Sequence, residues 1–387
     1  MRIVKVRALR YALMTGFLFS LHLALISYAN STFAANLFGA DAVGPIFSIS
    51  ACIALLALLF WAPKNIARNG TVLFTALLLL ISVFALTGMS QATFSIGYAA
   101  LFVVYLSHNS VILYGFDMMV EHATKNADTG KIRGLYLTAT NLAWMLALIG
   151  TGTIIEIGGF SRLYIFGAIL VFLSLFTLYR GRHMLNTHKL APVHVGENLR
   201  ILGRNKNLKA IYIVNFMLQS FYMVMVIFTP LYLSNIIGFD WKEISLIFFA
   251  MLSPFVILQY PLGRIADMRF GEKEMLIFGL GIMGLATIML STMATPSIWA
   301  WAGILFVTRV GAATVEVMSE SYFFKHIDET DTGLVGLYRC VGPLAGIIIP
   351  LLASFIIGKY NYATLFSVLG IAMFLTIIPA LRIRDTR

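Results

Sequence analysis

The stretch Pro261–Leu276 reads PLGRIADMRFGEKEML. It is dense in charge and glycine: Gly263, Arg264, Asp267, Arg269, Gly271, Glu272, Lys273 and Glu274. An apolar run lies on each side of it, 242–262 before and 274–293 after. A helix crosses the hydrocarbon core of a bilayer in about 20 residues. Charged side chains and bare backbone groups are costly inside that core. A short charged turn between two spanning helices therefore sits at the lipid–water boundary.

The rest of the chain has the same character. Of its 387 residues 59% are apolar and 12% charged, against about 25% charged in an ordinary soluble domain. Such a chain cannot cover a water-facing surface and has to be solvated by lipid. The net charge of +11 is scattered in small groups between apolar runs. That distribution speaks for membrane topology and against a nucleic-acid partner. Cys52 and Cys340 lie inside apolar runs, so neither a disulfide framework nor a zinc site is indicated. MRIVKVRALR followed by YALMTGFLFSLHLALISYA has the outline of a signal peptide. Its apolar run of about 19 residues exceeds the usual signal core, and it reads as an uncleaved first span.

Twelve runs have spanning length: 9–33, 42–62, 71–89, 92–117, 133–157, 160–180, 208–236, 242–262, 274–293, 296–321, 333–357 and 362–381. The narrowest separations fall at 89–92 and 157–160, where Gly88 and Gly158-Gly159 supply the turns. With a cytoplasmic N-terminus, 23 of the 28 Lys and Arg fall on the inner side. Arg162, Lys242 and Lys359 fall outside, and Arg309 and Arg339 lie within spans. This positive-inside pattern sets both termini in the cytoplasm. The one long polar connection, 181–207, separates a six-helix bundle over 1–180 from another over 208–387. The spacing of its His183, His188 and His194 fits no metal-binding helix or finger, so it reads as a solvated linker.

The halves read as repeats. Asp128-Thr129-Gly130 and Gly134-Leu135-Tyr136 precede the fifth span. Asp331-Thr332-Gly333 and Gly336-Leu337-Tyr338 precede the eleventh, with a gap of one residue. Asp-Thr-Gly suits any helix start, but the second triplet lies beyond what capping requires. In the same register Asp117, near the inner end of the fourth span, matches Glu320 in the tenth. Parallel six-span repeats are an architecture of secondary transporters.

On these residues the chain resembles the major facilitator superfamily. That family carries a loop of Gly, three residues, Asp, about two residues, Gly and basic residues. It stands between the second and third spans and, more weakly, between the eighth and ninth. Gly263, Asp267, Gly271 and Lys273 match at the second place, with three residues between Asp and Gly. The first place, Pro63–Gly70, keeps a glycine and basic residues but no aspartate. The resemblance covers the whole chain. It implies an all-α membrane protein with twelve transmembrane helices in two pseudo-symmetric bundles. It also implies a transporter rather than an enzyme, a monomer, in a plasma or bacterial inner membrane. Asp267 would face the start of the fifth span near Gly130–Gly134, and Arg269 would pair with Glu320. With Gly263, Gly271, Lys273 and Asp117 they would form a cytoplasmic gate of bistable contacts. The family's drug–proton antiporters usually carry Gly-Pro late in the fifth span. Here that span has Gly150 and Gly152, and Gly342-Pro343 lies in the eleventh.

Ionisable residues within spans point toward the solute. Arg309, Glu316 and Glu320 recur at i, i+7 and i+11 on one face of the tenth span. Glu316 is expected to pair with Arg339, as a proton-coupling group or an intramembrane ion pair. Unless it reaches Glu316, Arg309 then needs water or an anionic ligand group; structural pairing with Glu316 and water is the alternative to a role in solute binding. The resemblance places spans 1, 4, 7 and 10 around a central cavity. His22, His108 and Asn109 lie on the first and fourth, Asn215 and Gln219 on the seventh, and Asn141 on the fifth. With Arg309 these form the expected solute site. No cofactor motif, phosphate loop or nucleophile elbow is present. The sequence therefore reads as a secondary transporter of a small organic solute, proton-coupled, the solute anionic or zwitterionic. A drug–proton antiporter is the alternative. A non-transporting membrane sensor or partner protein is the alternative of another class.

Overall fold

The computed structural model describes residues 2–91, 93–123, 129–186, 195–327 and 332–384. It describes their side chains except those of 2–6, 121–138, 195, 260, 267, 269, 332, 333 and 335. Every element among these residues is helical. The first span is α1 (Arg2–Ser27) followed by α2 (Asn30–Phe38). The second is α3 (Ala40–Leu56) and α4 (Ala62–Asn69), joined by a π-helical turn at Ala57–Trp61. Then come α5 (Thr71–Met89), α6 (Ile96–Ala123), the long α7 (Thr129–Leu185) and the short α8 (Val195–Arg204). The seventh span is α9 (Lys206–Tyr232), and the eighth is α10 (Trp241–Ile257) and α11 (Gln259–Ile265). The chain closes with α12 (Glu272–Leu290), α13 (Ile298–Lys325), α14 (Thr332–Lys359) and α15 (Tyr362–Leu381).

Eleven described stretches are long and apolar enough to cross a membrane. One of them, Ala139–Leu185, is far longer than one crossing needs. It breaks at Gly158 and at Gly159, where φ is 66° and ψ −169°. A side chain at that φ is strained, so glycine belongs there. Counted as two, this stretch brings the crossings to the expected twelve. Large apolar side chains such as Phe84, Phe278 and Phe355 remain more than half exposed, as lipid solvation requires.

The linker differs from expectation. The helix α7 continues to Leu185 and α8 occupies 195–204, so 181–207 is only partly loop. Val195, Leu199 and Leu202 recur at helical spacing opposite Arg200 and Arg204, which makes this segment amphipathic. Composition alone concealed that period. His188 and His194 lie outside the described residues.

The chain divides into two compact units, Met1–Leu190 and Ala191–Arg387. In the first, α5 packs on α6 and α7, α3 on α6, and α1 on α6 and α7. In the second, α12 packs on α13 and α15, α10 on α13, and α9 on α13, α14 and α15. With α5 read as α12 and α6 as α13, the two patterns coincide. The repeat is thus visible in packing, although Asp128 and Asp331 themselves lie outside the described residues. The loops before α5 and α12 coincide in backbone too. Gly70 has φ 81° and ψ 159°, and Gly271 has φ 84° and ψ 164°. The aspartate missing from the first loop is not needed for this turn; the glycine is.

Candidate functional site

In the first unit a cavity of about 430 Å³ opens between the second span and α6. Ile53, Leu56, Ala57 and Trp61 line it from one side, and Ser107, His108 and Val111 from the other. The π-helical turn at Ala57–Trp61 shifts the helix phase by one residue, and Trp61 ends that turn beside the cavity. His108 Nδ1 lies 2.5 Å from the Val104 carbonyl oxygen. A carbonyl only accepts, so Nδ1 carries the proton and Nε2 of the neutral ring remains an acceptor. The cavity therefore has apolar walls and few polar groups, and it is open at one side, where Ile53, Leu56 and Trp61 remain about half exposed.

The other expected residues of this unit are placed differently. His22 is fully enclosed. Its Nε2 lies 2.9 Å from the Tyr105 hydroxyl, and its ring packs on Phe19 at 5.2 Å. It is an interior bond between α1 and α6 rather than a cavity wall. Asn109 is half-buried next to His108, and Asn141 is half-buried on α7.

In the second unit the expected pairing is redrawn. Glu316 accepts a hydrogen bond from Gln259 Nε2 at 3.0 Å, in place of the expected bridge to Arg339, which is exposed. The bend in the eighth span makes this contact. Pro261 has no N–H, so the Ile257 carbonyl loses its helical donor. At Leu258 the backbone turns to φ −100°, and Gln259 opens α11 beside α13. The Tyr222 hydroxyl, Arg309 and Glu320 complete the polar surroundings of the Glu316 carboxylate.

Arg309 is only 1% exposed. Its guanidinium carbon stands 4.7 Å from the centroid of the Phe221 ring and 5.8 Å from that of Tyr222. Nε and Nη1 are buried and make no hydrogen bond among the described residues. A cation over an aromatic face is stabilised, yet buried donors without acceptors remain costly. Asn215 and Gln219 act elsewhere. Asn215 Nδ2 donates to the Tyr338 carbonyl at 3.3 Å, and its Oδ1 accepts from Gln219 at 3.4 Å. Asn215 thus fastens α9 to α14, and Gln219 braces it from the next turn of α9.

The charged stretch is not the open turn expected: α11 runs into a π-helical turn at Ala266–Phe270, and only Gly271 stands between that turn and α12. Its side chains are described in part. The side chains of Asp267 and Arg269 lie outside the described ones, as does the expected partner region of Asp267 at 130–134. Gly263 lies close to Val317 of α13: a Cβ there would stand 3.8 Å from Cγ1. Gly271 makes the turn already noted, Lys273 is half-buried, and Glu320 is exposed. Asp117 is half-buried on α6. The carboxylate after Gly271 carries most of what is visible here. Glu272 is 2% exposed; it forms an ion pair with Lys325 and accepts from Ser321 Oγ at 3.0 Å. Sequence reasoning missed Glu272, Gln259, Phe221 and Trp61. The proline two residues after Gln259 could have marked a bend there; nothing in the sequence distinguishes Phe221 from the other phenylalanines.

Three comparisons complete the description. The family model described as the Major Facilitator Superfamily matches residues 11–267 and again 211–387. A crystal structure of a mutant of the nucleoside transporter NupG matches with a TM-score of 0.74 at 12% identity. The match covers 98% of this chain and 99% of that one, and at this identity it speaks to the fold. No curated protein matches the sequence.

Proposed function

The chain belongs to the Major Facilitator Superfamily and is a multi-pass membrane transporter rather than an enzyme; on that premise we propose that it moves a small anionic or zwitterionic organic solute by alternating access. The supporting observation is Arg309. A buried unmet donor costs about 1–3 kcal/mol, and more when it is charged. A solute carboxylate or phosphate placed at Nε and Nη1 would remove that cost, and the guanidinium fork matches such groups in shape. At 1% exposure the group is occluded in this conformation, so access to it has to open in another step of the cycle.

Glu316 is the proton-coupling group of this reading. Its carboxylate is fastened to Gln259, and Gln259 stands just ahead of the loop that begins at Gly263. Protonation would weaken that charge-assisted bond and loosen α11 from α13. The segment Gly263–Lys273 would thereby follow the state of Glu316, as one half of a cytoplasmic gate in a plasma or bacterial inner membrane. The apolar cavity beside Trp61 and His108 favours the second reading, proton-driven export of an amphipathic compound.

Uptake into proteoliposomes, with a solute panel and an imposed pH gradient, tests these readings together. The panel contains carboxylates, amino acids, amphipathic cations and nucleosides, the last because the matched structure is a nucleoside transporter. Arg309→Ala is expected to abolish uptake of the anionic solute while leaving folded protein. Uptake equal to the parent's refutes the anionic site, and no flux of any solute favours the non-transporting alternative.

A further inference from the structure

We propose that α8 is a membrane-surface helix that binds the headgroups of anionic phospholipids. The first support is its attachment. A single residue, Asn205, separates α8 from the membrane-spanning α9. The Asn205 side chain accepts from the backbone N–H groups of Asn207 and Leu208 at 3.0 and 3.2 Å. Its own N–H donates to the Ile201 carbonyl at 3.1 Å, and its carbonyl accepts from Lys209 N at 3.0 Å. Asn205 thus closes one helix and opens the next, with no slack between them. Leu208, three residues on, is already buried at 2% exposure.

The second support is direction. Besides α9, α8 packs against α14, a different span. A ten-residue helix is about 15 Å long; touching both, it lies across the end of the bundle instead of projecting from it. It is therefore held at the depth where the spans meet the headgroups.

The third support is its surface. Leu199 is 52% and Ile201 41% exposed, flanking Asn198 and Leu202, which are half-buried. Arg200, Arg204, Lys206 and Lys209 are all exposed, and Glu197 is the single acid of the helix. Exposed leucine and isoleucine beside four cations match an interface that is apolar below and anionic above. Basic residues at an anionic leaflet act within a Debye length of the surface, where they are most effective. The positive-inside orientation directs this face to the cytoplasmic leaflet.

The test uses the full chain with Cys52→Ser and Cys340→Ser, carrying a nitroxide at Leu199→Cys or, on the opposite face, at the exposed Glu197→Cys. Vesicles contain phosphatidylcholine with or without about 30% phosphatidylglycerol, the anionic component that the attraction requires. With phosphatidylglycerol, the label at 199 is expected to be shielded from a water-soluble nickel reagent and open to oxygen. The label at 197 should show the reverse, and shielding at 199 should fall in phosphatidylcholine alone. In native mass spectrometry, Arg200→Gln with Arg204→Gln should weaken phosphatidylglycerol retention by about fivefold for each arginine removed. Equal water access at both labels in anionic vesicles overturns the proposal. So does unchanged lipid retention in the double variant, or shielding that is indifferent to lipid charge, as a soluble acidic partner or free phosphate would give.

Discussion

Gly311→Ala is the most direct probe of the frame that holds Arg309. An added Cβ would stand 2.6 Å from Met283 N, 2.7 Å from the Gly279 carbonyl oxygen and 2.8 Å from Met283 Cβ. Two of these three atoms are backbone, so a rotamer change cannot relieve the clash. The helices α12 and α13 have to separate. Small residues exist at such crossings to let backbones approach. Overpacking a tight site costs about 1–3 kcal/mol, and the upper half applies when backbone must move. Alanine recovers up to about 1 kcal/mol of helix propensity. The net expectation is a loss of about 1–2 kcal/mol. For a unit of this size that lowers the melting temperature by about 2–8 °C. Gly303 lies on the same helix, and a Cβ added there would meet nothing within 4 Å, so Gly303→Ala is the matched control and should be neutral or stabilising. Thermal unfolding of purified protein, followed by tryptophan fluorescence, measures both. If the two variants melt alike, α12 and α13 do not meet through Gly311 and the packing argument fails.

The remaining predictions concern charge, an interior bond and the cavity. Lys325→Ala should destabilise more than Glu272→Gln, because the first leaves a carboxylate at 2% exposure without this cation and the second leaves a half-exposed ammonium in water. The first loss should be about 1–3 kcal/mol, reduced from a fully buried pair by the exposed lysine; the opposite ranking in thermal scans would refute it. Tyr105→Phe removes the hydroxyl that meets His22 Nε2 and should cost about 1–3 kcal/mol, read as a lower melting temperature; an unchanged midpoint would show that this contact is dispensable. His108→Phe should keep the parent's melting behaviour, since the ring is half-exposed at a cavity wall, while reducing proteoliposome uptake several-fold. Full uptake would remove that cavity from the transport path.

Crossings were legible because lipid imposes a length. The third and twelfth spans, read as 71–89 and 362–381, have those bounds in the structure. Gly158-Gly159 was legible as a turn, since two adjacent glycines interrupt any helix. Side-chain partners were less accessible. Spacing places Arg309 and Glu316 on one face, but it does not register α11 against α13. That register depends on the bend before Pro261, and the bend brings Gln259 rather than Arg339 to the carboxylate. His22 and Arg309 looked alike from sequence, each a polar residue at mid-depth. They differ because Tyr105 reaches one, while the other has aromatic faces and no acceptor at Nε or Nη1 among the described residues. The period of α8 was present in the sequence but masked by the polar composition of the linker around it.

The two loops before α5 and α12 separate what the turn needs from what the charge adds. Gly70 and Gly271 share a positive φ that only glycine accepts without strain. At Gly70 space is a second constraint: a Cβ would come 2.3 Å from Asn186 Oδ1. That amide oxygen accepts from Val72 N at 3.2 Å, and Thr71 Oγ1 donates to the Leu185 carbonyl at 3.3 Å. The start of α5 is thus fastened to the end of α7 by neutral groups. The start of α12 is fastened to the end of α13 by the ion pair of Glu272 with Lys325, and by Ser321. Salt screens an ion pair that is open to water on one side and leaves a neutral hydrogen bond almost untouched. The first loop has therefore lost its aspartate without losing its turn. Of the two helix starts, only the one in PLGRIADMRFGEKEML carries a described fastening that ionic strength can weaken.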